Sequence, residues 1–317
     1  MIGRGAEATL EMAQMDGITV VVATRDRCAR LRRCLADLTA LPDRPQVIVV
    51  DNGSTDNTAA MVRLRFPSVE LIRLDCNHGA PARNLGVRRA RTPYVAFCDD
   101  DSGWEPGALF TAGEHLRRHP RLALIAARVL VGPERRIDGL SEHMATAPLG
   151  QEPDLPGPSV LGFLACAAVV RRDAFLATGG FDPVVFFMGE EQRVAYDLAR
   201  RGLGLSYCDD VVALHQPEGD RADRPMLAAR NRALTSWMRR PLPVALRHSA
   251  GVAARAVTQP GARRATLDMI GRLPAALARR VRPDPTVERL LRSLERPDAR
   301  PARPRLAARG VMEPSDG

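Results

Sequence analysis

The 317-residue chain has no lysine: all 46 basic residues are arginine. Usage so one-sided reads as genomic composition bias, so the net charge of +9 says little about a basic surface. Aromatic residues make up 4% of the chain, and no nucleic-acid-binding motif stands out. No nucleic-acid partner is therefore expected. No apolar run reaches the roughly 18 residues of a spanning helix. The longest, Val160 to Val170, is closed by Arg171-Arg172 and reads as a buried strand. The polar segment 1–17 has no signal-peptide core and reads as disordered. The six cysteines contain no C-x-x-C pair, which argues against a paired-cysteine zinc or redox centre. Together these absences point to the cytoplasm.

With 45% hydrophobic and 26% charged residues, the chain can bury one large core or two small ones. From Ile18 to about Val131, β-branched apolar runs alternate with helical periodicity. Strands are expected at Ile18–Thr24, Gln46–Asp51, Val69–Leu74, Tyr94–Cys98 and Leu122–Val131. Helices are expected between them, with Pro81 opening one and Pro106 another. This rhythm implies an α/β fold with a mostly parallel, Rossmann-like sheet flanked by helices. Segment 132–158 is rich in Pro and Gly and reads as an irregular loop. Short strands are expected near Leu205–Cys208 and Val211–His215. Residues 241–281 read as a helical C-terminal extension, and 282–317 as a Pro/Arg-rich flexible tail.

Several strand ends carry chemistry-bearing residues. Asp99, Asp100 and Asp101 follow an apolar strand, where like charges repel unless a cation or a turn relieves them. A metal site and an acidic turn before the next helix both remain open at this point. Thr24-Arg25-Asp26-Arg27 and Asp51-Asn52-Gly53-Ser54 end the first two strands, where a nucleotide can approach the backbone. Gly79 permits an unusual turn at a helix N-terminus that favours anions, with Arg83 in the first turn. Glu190-Glu191 pair two acids at a helix start, as dipole complements or as a general base. His215 ends a further apolar run.

In this order, from about Ile18 to Trp237, these elements resemble a family 2 glycosyltransferase of the GT-A fold. The resemblance implies a domain over 18–240, with a nucleotide-sugar half at about 18–131 and an acceptor half at about 159–240. It implies that Thr24, Arg25, Asp51 and Gly79 hold a nucleotide-sugar donor, with Arg83 near its phosphates. Asp99 and Asp101 match the D-x-D motif that binds the donor ribose and a Mg²⁺ or Mn²⁺. His215 matches a further metal ligand. Gly180, Phe181 and Asp182 would line the acceptor side. The family usually has Glu-Asp where this chain has Glu190-Glu191. Glu191 inherits the role of catalytic base, unless its extra methylene lets Glu190 take part. Arg230-Asn231 also resembles a feature of some relatives, without an assigned role.

The implied reaction is inverting transfer of a sugar to an acceptor hydroxyl, in glycan or glycoconjugate synthesis. A nucleotidyltransferase is the rival enzyme, but the first strand is not followed by its Gly-rich basic loop. A basic module that binds a membrane or nucleic acid is the non-enzyme rival. Leu267, Ile270, Leu273 and Leu277 recur at helical spacing among arginines and suggest contact with the inner face of a membrane. Pro274 argues against one straight helix there, and packing on the catalytic domain is the alternative.

Overall fold

The computed structural model describes residues 17–217, 224–256 and 260–295. The expected disorder over 1–16 and over 296–317 lies outside them. Strands β1 (Ile18–Thr24), β2 (Gln46–Asp51), β3 (Glu70–Arg73) and β4 (Tyr94–Asp99) pair in parallel in the order β3-β2-β1-β4. Helices α1 (Cys28–Ala40), α2 (Thr58–Arg65) and α3 (Ala82–Arg89) connect them. The central strands β1, β2 and β4 are largely apolar because both faces are covered. Val20, Val22, Ala96 and Cys98 enter one core, while Val21, Ile48, Val95 and Phe97 enter the other. Alternate side chains of a strand point to opposite faces, so a sheet buried on both sides shows no polar alternation.

The expected α/β sheet flanked by helices is present, and beyond β4 it takes in antiparallel strands. The order continues β8 (Ala168–Arg171), β6 (Leu122–Val131), β9 (Gly204–His215) and β5 (Ser102–Trp104), with β7 (Arg136–Ile137) beside β6. The β4–β8, β6–β8, β5–β9 and β6–β7 pairs are antiparallel, so the sheet is mixed. Of the apolar run Val160–Val170, the stretch before Ala168 is irregular and ends in a 3₁₀ turn at Ala165–Ala167. The two short strands expected over 205–215 are one strand, interrupted by a register shift opposite Ala127/Arg128. Helix α4 (Ala108–Arg118) packs on one sheet face. Helix α5 (Gly139–Ala145) lies inside the expected loop, capped by Asp138, which accepts from Leu140 N. Helices α6 (Arg172–Ala177) and α7 (Glu191–Ala199) bury Phe175 and Val194 on the other face.

Helices α8 (Arg224–Arg239), α9 (Leu242–Arg255) and α10 (Pro260–Ala278) form a third core around Leu234, Met238, Val252 and Met269, against Val184 and Val185. Helix α10 runs through Pro274 without ending. The flexible tail is also corrected. Residues 285–294 form helix α11 (Pro285–Leu294), with the Asp284 carboxylate accepting from Thr286 N and Val287 N. Pro285 suits the first turn, and Val287 and Leu291 drop into the sheet core.

Candidate active site

The carboxyl ends of β1, β2 and β4 open onto a cleft of about 600 Å³. Thr24, Arg25, Gly79, Arg83, Asp99, Asp101, Glu190, Glu191 and His215 all line it. The parallel strands bring these distant stretches to one sheet edge, where α/β folds bind ligands.

The three aspartates have separate tasks. Asp100 is buried and accepts from Thr24 Oγ1 at 2.7 Å and from Arg27 Nη1 at 2.8 Å. Burial raises its pKa, while those two bonds pull the other way. Asp100 therefore ties β1 to the turn after β4. Asp99 forms a close ion pair with Arg83. Asp101 lies 3.4 Å from Arg30 and 3.6 Å from Arg27, and its Oδ1 is 3.7 Å from His215 Nε2.

The Asp101–His215 separation suits two ligands of one ion at bond lengths of about 2.0–2.6 Å. Carboxylate and imidazole are suitable donors for Mn²⁺, and carboxylate for Mg²⁺. Asp99, the third expected ligand, lines the same cleft, but its carboxylate does not group with Asp101 and His215 within 4.8 Å. The Arg83 guanidinium pairs with Asp99. Among the described residues, the one set of three such ligand atoms within 4.8 Å of each other is His115, Cys208 and Asp210, outside this cleft.

Arg83 is buried in the cleft wall, its Nη2 paired with Asp99 and its Nη1 3.9 Å from Glu190. Burial works against its charge, but Asp99 and Glu190 outweigh burial and raise its pKa. Its Nε has no hydrogen-bond partner. Glu190 is 3% exposed, and its Oε2 is also unpartnered. Burial, then repulsion from Glu191, pushes the Glu190 pKa up to about 8, against the pull of Arg83. Burial raises Glu191 as well, and its Oε1 accepts from Ala165 N at 3.4 Å. Both acids stand at the start of α7, where the helix dipole favours negative charge.

Four expected site residues stand off the cleft. Asp51 is fully buried and is not on the cleft wall. Its Oδ1 accepts from Ser54 N at 2.9 Å, so it shapes the turn after β2, while Oδ2 has no hydrogen-bond partner. The acceptor-side assignment of Gly180, Phe181 and Asp182 is corrected. The Phe181 ring packs with Phe97 and Phe175 at centroid distances of 5.4 and 5.2 Å. Asn84 brackets the Phe181 backbone, donating to its carbonyl at 2.8 Å and accepting from its N–H at 2.9 Å. Arg193 donates to the Gly180 carbonyl and lies 3.7 Å from Asp182. Hydrophobic burial and the Asn84 and Arg193 contacts thus turn this segment into the core.

Other residues on the wall escaped the sequence reading. Asn52 donates to Asn77 Oδ1 at 3.0 Å and Gly79 O at 3.1 Å, and accepts from His78 N at 2.8 Å. It clamps the Gly79 turn to β2. Gly79 has φ +67°, and a Cβ there would meet Phe186 O at 2.5 Å. Phe186, Phe187 and Met188 close the same side of the cleft. Only Asn52 had a sequence signal, its place in Asp51-Asn52-Gly53-Ser54; the other contacts join residues about a hundred positions apart.

The sequence profile of glycosyl transferase family 2 matches residues 19–178. A pre-mycofactocin glycosyltransferase of Mycobacterium tuberculosis is 31% identical over 212 residues, 62% of this chain and 42% of that protein. The chain thus spans less than half of that relative. An N-acetylglucosaminyl-diphospho-decaprenol L-rhamnosyltransferase of the same species is 26% identical over 292 residues, 78% of this chain and 95% of the relative. Among solved structures, the mannosyltransferase PcManGT from Pyrobaculum calidifontis, in complex with GDP-Man and Mn²⁺, superposes with a TM-score of 0.53. The pair is 19% identical, over 89% of this chain and 81% of that one. Staphylococcus aureus TarS 1–349, in complex with UDP-GlcNAc, gives 0.54 at 15% identity, over 83% and 90%. These structural likenesses show the GT-A-like fold. With half of its length matched by the family profile, the chain belongs to glycosyl transferase family 2.

Proposed function

We propose that the chain transfers a sugar from a nucleoside-diphosphate sugar to an acceptor hydroxyl, inverting the anomeric carbon. The observation that carries this reading is the convergence of Asp99, Asp101, His215, Arg83, Glu190 and Glu191 on one cleft. The nucleotide-sugar complexes of TarS and PcManGT support the donor class. The acceptor-lipid name of the rhamnosyltransferase relative supports a place in cell-surface glycan synthesis.

In this reading Thr24 and Arg25 lie on the nucleoside side of the cleft, with the Gly79 turn beside them. Glu191, the less buried of the acid pair, removes the proton of the acceptor hydroxyl. The hydroxyl oxygen bonds to the anomeric carbon as that carbon releases the nucleoside diphosphate. No covalent nucleophile is needed. Burial raises the affinity of Glu191 for a proton, which suits a base. Glu190 and Asp99 fix Arg83 from two sides, and Arg83 adds positive charge beneath the diphosphate. A Mg²⁺ or Mn²⁺ held by Asp101 and His215 would supply further charge neutralisation for the leaving group. Phe186, Phe187 and Met188 take the acceptor-side role that Gly180–Asp182 do not fill.

We also place the chain at the cytoplasmic face of a membrane. Among the described residues no helix is long and apolar enough to cross one. On α10, Ala262, Ala265, Met269 and Ala276 face the core, while Leu267 is 71%, Ile270 57% and Leu277 44% exposed. From Arg239 to Pro283 inclusive the sequence has ten arginines and one acid, Asp268, which is ion-paired. An exposed apolar stripe within an arginine-rich stretch matches an anionic lipid surface.

The function is tested with a thermal-shift panel of UDP-, GDP- and dTDP-sugars with Mn²⁺, followed by transfer assays. A true donor at a hundred times its Kd stabilises by about 2.7 kcal/mol. Glu191→Gln should keep that shift and lose transfer. If no nucleotide sugar shifts the melting temperature, the reading fails; if the variant transfers at the wild-type rate, Glu191 is not the base.

A further inference from the structure

Arg230 and Asn231 lie on α8, off the cleft wall, and no reacting group touches them. Asn231 is fully buried. Its Nδ2 donates to Phe187 O at 2.5 Å and to Met188 O at 2.6 Å, so one amide group spans two consecutive carbonyls. Its Oδ1 accepts from Arg230 Nε at 2.9 Å, which fixes which end of the amide faces the carbonyls. Arg230 also donates to Val185 O at 3.3 Å and forms a close ion pair with Asp268 of α10.

The carbonyls belong to a strained bend. Phe186 has φ +67° and Met188 φ +71°, both in the left-handed region that L side chains avoid. Each such residue costs of order 1 kcal/mol or more, and the conformation persists where surroundings impose it. On the cleft side the bend is held by Ala80 N, which donates to Phe186 O at 2.7 Å, with Gly79 leaving room for the Phe186 ring. On the other side it is held by Asn231. Two residues past Met188 the chain delivers Glu190, then Glu191.

We propose that Asn231 is a positioning residue, held by Arg230 and Asp268, that locks the Phe186–Met188 bend and so aims Glu190 and Glu191 into the cleft. The inference rests on the glycosyltransferase reading and assigns a task to the C-terminal helices. They carry the far anchor of the acid pair. An interior amide that merely needed satisfaction would be served by any carbonyls. Here both contacts go to adjacent residues of the one strained segment that leads into the acids. Misplacing a reacting group by about 1 Å can cost on the order of 10²-fold in rate.

The test compares wild type, Asn231→Ala and Leu291→Ala; the last is destabilised on α11, away from the cleft. Hydrogen exchange and donor thermal shift are read for each, then turnover under conditions where all three are folded. Asn231→Ala should speed amide exchange across 185–191 and lower kcat by about tenfold to a hundredfold. Donor KM should stay within about threefold. Leu291→Ala should keep wild-type kcat and leave 185–191 protected. Unchanged exchange across 185–191 in Asn231→Ala overturns the proposal, whether or not the wild type transfers sugar. Equal losses of kcat in the two variants also overturn it, since destabilisation alone would then explain the effect. Absence of transfer by wild type, with exchange altered as expected, rejects the glycosyltransferase reading and keeps the bend assignment.

Discussion

His215 and Ser102 face each other across the antiparallel β5–β9 pair, and that register sets His215 Nε2 3.7 Å from Asp101 Oδ1. Strand β9 approaches from more than a hundred residues downstream. Gln216 N donates to Asp101 O at 2.8 Å and extends the pairing past the strand end. A histidine and an aspartate are thus matched by backbone hydrogen bonds, before any ion is considered.

His215→Ala and Asp101→Ala should each weaken Mn²⁺ binding by tenfold or more, on the scale of about 1.4 kcal/mol per tenfold. Asp99→Asn should weaken it less, because Asp99 is engaged by Arg83. Calorimetric titration of Mn²⁺ with nucleoside diphosphate present measures all three. Equal losses would restore Asp99 as a ligand.

Glu190 makes stability depend on pH. In the folded chain its pKa is about 8, against 4.5 for an ordinary glutamate. The native state therefore keeps a proton that the unfolded state releases between those values. Its contribution is complete below about pH 4.5 and is lost as pH rises through 8. Glu190→Gln should melt higher than wild type at pH 8.5 and converge with it near pH 5. Thermal melts across that range decide; a constant difference in melting temperature would refute the raised pKa.

Leu291 is 6% exposed and packs in the sheet core. Leu291→Ala should cost about 2–5 kcal/mol in urea unfolding. A loss under about 0.5 kcal/mol, the range of surface substitutions, would mean that α11 is not part of the cooperative fold.

The outward face of α10 should bind vesicles containing about one-third phosphatidylglycerol, and should leave neutral phosphatidylcholine vesicles unbound. Leu267→Asp/Ile270→Asp should abolish flotation without unfolding, since both side chains are exposed. Raised salt should weaken binding through the arginines. If the double substitution instead dissociates a dimer in sedimentation, the stripe is a protein interface.

Much of the candidate cleft was legible because βαβ units place strand ends at one sheet edge. Thr24, Gly79, Arg83, Asp99, Asp101, Glu190, Glu191 and His215 all reach the cleft. The Gly180–Asp182 assignment failed because sequence order does not tell which side of a turn faces solvent. Phe181 went to the aromatic cluster with Phe97 and Phe175, where its burial is complete. Helix α11 was missed because the Pro/Arg composition masked a local signal. Asp284-Pro285 is a helix start, and Val287, Leu291 and Leu294 recur at helical spacing.

By itself the sequence determined the apolar strands, the small and polar residues at their ends, and the family to which they belong. Those are local properties, set by side-chain type and spacing. Tertiary structure decided how the three aspartates divide their work. Asp100 turns inward to Thr24 and Arg27, Asp99 meets Arg83, and Asp101 meets His215. Identical neighbouring side chains carry no local signal that separates them. Strand register and the positions of buried guanidinium groups, fixed by contacts between distant stretches, give each carboxylate its partner.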